Sequence, residues 1–220
     1  MFKHRLTALA AAIFGALVVS GCSSTGSHEP AELEDIRELV DSNEVWSDNL
    51  GATEGSLLAP AVTSTGIYAA GGNELYRIDA KTGDVVWSRE ADAEISAGVG
   101  SDGTYVAVGT VKGEVEVYDS DGKRLWNARL SSEVSVPPLV GSGFVFVRTA
   151  DTRITAFDAY SGERRWRYQA QVPSLTVRAP SQMRFSPAGI LAGQANGRLL
   201  ALDGQGRTVF EVPVAQPKGI

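Results

Sequence analysis

The side chains that most often carry chemistry are scarce in this sequence. Its single cysteine is Cys22 and its two histidines are His4 and His28. One chain therefore cannot build an intrachain disulfide, a multi-thiolate metal site or a histidine cage, and a Ser-His-Asp triad has no histidine beyond position 28. Gly98-Val99-Gly100-Ser101-Asp102-Gly103 spells G-x-G-x-x-G, which holds a pyrophosphate only where a helix begins at the glycines. Here Thr104 to Val108 reads as a strand, so the stretch is a turn. Asp119-Ser120-Asp121-Gly122 opens like a calcium loop but lacks the remaining ligands, and reads as a hairpin turn. Arg164, Arg165 and Arg167 flank Trp166, and strand alternation divides them between two faces, as solvated edge residues rather than an anion site. This inventory predicts no catalytic residue, no metal ligand and no cofactor.

The elements that position these residues begin with a leader. Lys3, His4 and Arg5 precede an apolar run from Leu6 to Val19, shorter than the roughly 20 residues of a spanning helix. It reads as a secretory signal over residues 1–21. Val19-Ser20-Gly21-Cys22 resembles the lipobox of bacterial lipoproteins, which implies cleavage before Cys22 and its acylation, with palmitate among the chains. Each buried methylene then contributes about 0.8 kcal/mol of membrane affinity. Ser23, where an acidic residue would resemble an inner-membrane retention signal, favours the periplasmic face of the outer membrane. Loss of the leader removes Lys3 and Arg5 and no acid, moving the net charge from −6 to −8. An acidic chain argues against nucleic acid and against electrostatic adhesion to anionic lipid.

Residues 22–43 read as a lipidated tether: Ser23 to Pro30 is small and polar, and Leu33, Ile36 and Val40 recur at helical spacing amid acids, enough for one short helix. From residue 44 to 220 the pattern becomes short alternating runs broken by glycine. Four of them end alike. Asp79, Asp119, Asp158 and Asp203 each close an alternating strand and lead to Gly83, Gly122, Gly162 and Gly206; an aromatic follows each glycine at the fourth residue, namely Trp87, Trp126, Trp166 and Phe210. The aspartates lie 40, 39 and 45 residues apart. Trp46 falls in the same register, on an isolated strand of its own. Aspartate caps the turn by accepting from following amides, glycine supplies positive φ, and the aromatic packs on the neighbouring unit. Another β pair precedes each hairpin. Four short strands per 40 residues make an all-β propeller blade, so residues 44–220 are expected to form a partial β-propeller of about four blades. With 43% hydrophobic and 21% charged residues, the composition is that of a globular chain.

The motif Asp-Ala-x-x-Gly-x-x-x-Trp, clearest at Asp79 to Trp87 and Asp158 to Trp166, resembles the PQQ-type propeller repeat. With the lipobox, the tether and Val172-Pro173-Ser174-Leu175-Thr176-Val177-Arg178, the sequence is similar to the BamB family, lipoproteins of the outer-membrane β-barrel assembly machine. The resemblance implies an eight-bladed ring, of which this chain holds about the first half. It also implies a non-catalytic scaffold that aids assembly and insertion of β-barrel proteins. Leu175, Val177 and Arg178 would bind a POTRA domain of the BamA barrel subunit, alongside other assembly-complex subunits. Exposed blade edges would meet unfolded barrel clients. The alternative reading is a PQQ-dependent quinoprotein dehydrogenase, built from the same repeat. It would need a calcium site that breaks the repeat pattern, whereas Asp79, Asp119, Asp158 and Asp203 recur at the turn of every repeat.

Overall fold

Short runs in which every second residue is apolar can bury one face or both when laid in sheets, and turns at glycine set their length. In the computed structural model, which describes residues 43–51, 58–170 and 181–214, this produces sixteen strands and no helix among the described residues. The leader, Cys22, the tether and Leu175, Val177 and Arg178 lie outside the described residues. The strands fall into four antiparallel sheets of four, each in chain order. The first holds β1 (Ala61–Thr63), β2 (Gly66–Gly71), β3 (Glu74–Ile78) and β4 (Val85–Glu90). The second holds β5 (Ile95–Ser101), β6 (Tyr105–Thr110), β7 (Glu114–Asp119) and β8 (Arg124–Arg129). The third holds β9 (Leu139–Gly141), β10 (Phe144–Arg148), β11 (Arg153–Asp158) and β12 (Arg164–Gln169). The fourth holds β13 (Arg184–Ser186), β14 (Gly189–Gly193), β15 (Arg198–Leu202) and β16 (Thr208–Pro213). These are four propeller blades, all within the compact unit Glu44–Ile220.

The core lies between blades, as the two-sided apolar pattern of the middle strands requires. Tyr68, Leu75, Ile95, Val106 and Val108 join blades one and two. Val115, Val117, Val145, Val147 and Phe157 join blades two and three, and Phe146, Ile154, Ile190, Leu200 and Leu202 join three and four. Full burial of each such side chain contributes about 1.5–3 kcal/mol. Residues of β1, β5 and β13, with the chain leading into β1, β9 and β13, line a central cavity of about 430 Å³. Here the glycines of the rejected nucleotide motif have their use. The expected turn is confined to Asp102–Thr104: Gly98 and Gly100 sit on β5, and a Cβ there would stand 2.2 Å from the Ala59 carbonyl oxygen and 1.9 Å from that of Pro138. A strand, β6, follows them.

Each outermost strand repeats one irregularity. Trp87, Trp126, Trp166 and Phe210 lie opposite Arg77, Val117, Ala156 and Ala201, and beside every one of these pairs the register slips. Such bulges sharpen the twist and aim the ring off the blade. The segment carrying Trp46 departs from expectation: residues 43–51 form no strand. A strand exists only as part of a ladder, and among the described residues none pairs with this segment.

Among the described residues one carboxylate is fully buried. Glu116 on β7 accepts from the Tyr118 hydroxyl at 2.6 Å and the Asp92 amide at 2.8 Å, and pairs with Arg124 at 3.1 Å. Arg124 also holds Asp92, at 2.7 Å. Burial, then the bond to Glu116, pushes the Tyr118 hydroxyl well above the usual phenol range. The cluster fastens the 91–94 connection to the second blade.

Candidate functional site

Two ends of the blades offer different chemistry. At one end stand the Asp–Gly turns. The Asp79 carboxylate accepts from the amides of Lys81 and Thr82 at 2.8 and 3.0 Å; Asp158 accepts from those of Tyr160 and Ser161 at 3.1 and 2.9 Å. Asp119 and Asp203 close a turn shorter by one residue and accept from Asp121 and Lys123, and from Gln205 and Arg207. Backbone amides hold Asp79 and Asp203 below the usual carboxylate range, and the Arg165 side chain, then the Ser161 amide, hold Asp158 far below it. Four aromatic rings rest on these turns. The indole N–H of Trp46, Trp87, Trp126 and Trp166 donates to the carbonyl of Ala80, Ser120, Ala159 and Gly204 respectively, at 3.2, 3.1, 2.9 and 2.9 Å. Each ring covers the glycine of the same turn. A Cβ on Gly83, Gly122, Gly162 or Gly206 would approach the ring to 2.7, 2.9, 2.6 and 2.6 Å, and each glycine has a φ between +72° and +80°. The glycine thus answers two demands, positive φ and a flat seat for the preceding blade's indole. Trp46 makes this contact from a segment without a ladder. Phe210 occupies the same repeat position at 37% exposure.

At the opposite end run the connections between blades, residues 91–94, 130–138 and 170–183. The last contains Leu175, Val177 and Arg178, and its two roots are described. At one root, Gln169 Nε2 donates to the carbonyls of Asp151 and Ala170 at 3.1 and 3.3 Å. At the other, Ser181 Oγ accepts from the Gly193 amide at 2.9 Å and donates to its carbonyl at 3.1 Å. Between them lies Arg148, 3% exposed. Its Nη1 donates to the Gly193 carbonyl at 2.8 Å and the Ser181 carbonyl at 3.2 Å, and burial lowers its pKa. The β10–β11 turn beside it has Thr152 at φ +65°, held by Thr149, whose hydroxyl donates to Asp151 at 2.5 Å, and by an Arg153–Asp151 ion pair. Buried Thr152 Oγ1 and Gln194 Nε2 have no hydrogen-bond partner among the described residues.

Sequence reasoning passed over Arg148, Gln169 and Ser181. The signal for Arg148 was present: its partner across the ladder is Ile154, and the corresponding residues of the other blades are Ala70 opposite Leu75, Gly109 opposite Val115 and Gly193 opposite Leu199. Of four equivalent positions, three are small and one is arginine. The other basic candidates behave as edge residues: Arg165 pairs with Asp158 at 2.8 Å and Glu163 at 3.1 Å, while Arg164 and Arg167 are exposed. The Asp119–Gly122 stretch is a hairpin turn closed by the Gly122 amide on the Asp119 carbonyl. Among the described residues no group of three or more His, Cys, Asp or Glu could hold a metal ion. Arg184 is the one charged side chain lining the described part of the central cavity.

Set beside known proteins, residues 36–97 and 71–220 match the family model described as outer membrane protein assembly factor BamB. The protein of that name from Burkholderia pseudomallei is 39% identical over 98% of this chain, and the chain spans 58% of that relative's length. Among solved structures, BamB from Moraxella catarrhalis superposes with a TM-score of 0.67 at 28% identity, covering 74% of this chain and 50% of that one. A quinohemoprotein alcohol dehydrogenase from Comamonas testosteroni superposes with a TM-score of 0.61 at 20% identity, over 77% of this chain and 36% of that one; this likeness concerns the fold.

Proposed function

The chain belongs to the BamB family of outer membrane protein assembly factors, and from that membership we propose that it is a lipid-anchored, non-catalytic scaffold of β-barrel assembly. Acylated Cys22 holds it at the periplasmic face of the outer membrane. The 170–183 connection docks a POTRA domain of the BamA barrel subunit, Leu175 and Val177 giving apolar contact and Arg178 a charge-assisted bond to a carboxylate. Tethering both proteins to one membrane raises their effective concentration without any new contact. Outer blade strands offer edges to which unfolded barrel clients could add by β-pairing.

The observation that carries the reading is positional. The motif Leu175 to Arg178 falls in the connection that stretches the repeat from 39 to 45 residues, and in a repeat protein an insertion confined to one connection is where binding is concentrated. The quinoprotein alternative shares the fold, and the calcium site it would need departs from the repeat pattern that Asp79, Asp119, Asp158 and Asp203 keep. The test is binding of the full-length chain to the soluble POTRA region of BamA, wild type beside Leu175→Ala/Arg178→Ala. The double variant is expected to bind at least about tenfold more weakly, as for two truncated interface anchors, with an unchanged circular-dichroism spectrum. Equal binding by both proteins would sink this docking site.

A further inference from the structure

The outer strand of blade three breaks the charge pattern of the other blades. β12 reads Arg-Arg-Trp-Arg-Tyr-Gln, three cations and no acid in a chain of net charge −6. Regular alternation would send Arg164 and Arg167 to opposite faces. The ladder corrects that expectation: at the slip between Ala156 and Phe157, Arg164 comes to lie opposite Phe157 while Arg167 lies opposite Thr155. Cross-strand partners share a face, and Phe157 belongs to the core between blades two and three. Both arginines therefore stand on the side of β12 turned toward blade two, exposed and without an ion pair among the described residues. Arg165, at the bulge, is held by Asp158 and Glu163. The corresponding side of the other outer strands is matched or empty of cations. Arg124 and Arg129 on β8 meet Glu116 and Glu114, Glu211 on β16 meets Arg198, and β4 places Val85, Ser88 and Glu90 there.

We propose that the outer edge of β12 takes an extended segment of a partner chain with carboxylates at alternate positions, as a fifth strand of blade three, Arg164 and Arg167 each meeting one carboxylate. The proposal deepens the client-pairing part of the reading above and rests on it. Among the described residues β12 is the outermost strand of its sheet and pairs only with β11, so one row of its backbone groups is open to a ladder. The positions opposite Phe157 and Thr155 are two residues apart, about 7 Å along the strand. An added strand projects its residues i and i+2 to one face at that same spacing. Charge on an edge keeps most strands away. Two unmatched cations of one sign repel basic strands and admit acidic ones, so the guard also selects. A guanidinium fork binds a carboxylate through two parallel bonds, and the acidic balance of the whole chain disfavours an anionic lipid surface as the occupant.

Full-length wild type, Arg164→Gln/Arg167→Gln and the charge-matched control Arg129→Gln/Arg207→Gln are titrated with labelled ten-residue peptides of Val, Thr and one charged residue type. The first peptide has Glu at every second position, the second has Lys at those positions, and the third gathers the glutamates of the first into one block. The alternating Glu peptide is expected to bind wild type and the control alike, and Arg164→Gln/Arg167→Gln about tenfold more weakly, as for two lost cross-strand pairs. The Lys peptide is expected to bind only Arg164→Glu/Arg167→Glu, a reversal that mere unfolding does not produce. Equal binding by wild type and Arg164→Gln/Arg167→Gln overturns the inference, as does an equal loss in the control, which would mark net charge alone. Block and alternating peptides that bind equally overturn it too, since a diffuse basic patch needs no register. Capture by phosphatidylglycerol vesicles that Arg164→Gln/Arg167→Gln abolishes, with no peptide bound, gives the surface to lipid and likewise overturns it. If wild type binds a β-barrel protein diluted from urea and the alternating peptide does not compete, the inference fails while the client-pairing reading stands; if it binds neither, both fail.

Discussion

The joint between blades two and three and the joint between blades three and four are the same at one end and unlike at the other. At the turn end, Trp126 lies on Gly162 and donates to the Ala159 carbonyl, and Trp166 lies on Gly206 and donates to the Gly204 carbonyl, both at 2.9 Å. At the connection end, one joint packs Val134 against the bare Gly109 backbone, and the other spans the gap with Arg148. Invariance at one end and variation at the other separate two tasks. The indole-on-glycine contact holds any blade to the next, so it can be repeated without change. The connection end bears no part of that contact, so a longer segment and a buried cation can be introduced there without disturbing the ring.

The largest expected effect lies at the shared end. Trp126→Ala removes a ring packed on both Phe157 and the next turn and should cost about 3–5 kcal/mol, read from urea unfolding of the full-length protein. Trp46→Ala should cost less than half as much, because Trp46 is held by one bond at 3.2 Å from a segment outside any ladder. Equal losses would mean that the outer strand contributes nothing to delivering the ring, and would remove the distinction drawn here between ladder-borne and segment-borne aromatics.

Much of the turn end was legible in the sequence because repetition reveals it. Asp79, Gly83 and Trp87 recur in type and spacing, and a residue whose role repeats leaves a periodic trace. The sequence did not reveal that the tryptophan of one repeat sits on the glycine of the next, since nothing in a single repeat distinguishes positive φ from a seat for an indole. The strand expected at Trp46 failed for a related reason. Register shows where a side chain belongs, but a ladder requires a partner that local pattern cannot supply. The connection end was hardly legible. Arg148, Ser181 and Gly193 meet across sequence separations of 12 to 45 residues, and Gln169 meets Asp151 across 18; their trace is a break in the repeat rather than the repeat itself.

A smaller effect sharpens the contrast between the two connection ends. Gly109→Ala forces a methyl into space held by Val134 and should cost about 1–3 kcal/mol by overpacking. Arg148→Met, which keeps a long side chain and removes its bonds to the Ser181 and Gly193 carbonyls, should cost less in the same urea series. If Arg148→Met proved the more destabilising of the two, the arginine would be a structural strut, and the division of tasks between the ends would fail.

The smallest effect separates the two turns on which Trp126 and Trp166 rest. Both aspartates titrate below their unfolded values. A depressed folded pKa gives a contribution that is fully present above the unfolded value, about 3.9, and is lost as pH falls through the folded one. The stability gap between wild type and Asp158→Asn, and likewise Asp203→Asn, should therefore be level from neutral pH down to about pH 5 and shrink below about pH 4. Salt should tell the two apart. Asp158 owes its shift first to the Arg165 side chain, whereas Asp203 owes its own first to the Arg207 backbone amide. At about 1 M salt, where charges are screened beyond roughly 3 Å, the Asp158 gap at pH 7 should contract more than the Asp203 gap. Equal contraction would show that the exposed Arg165 pair adds nothing beyond the amide cap, and that the two turns are held alike despite their difference of one residue.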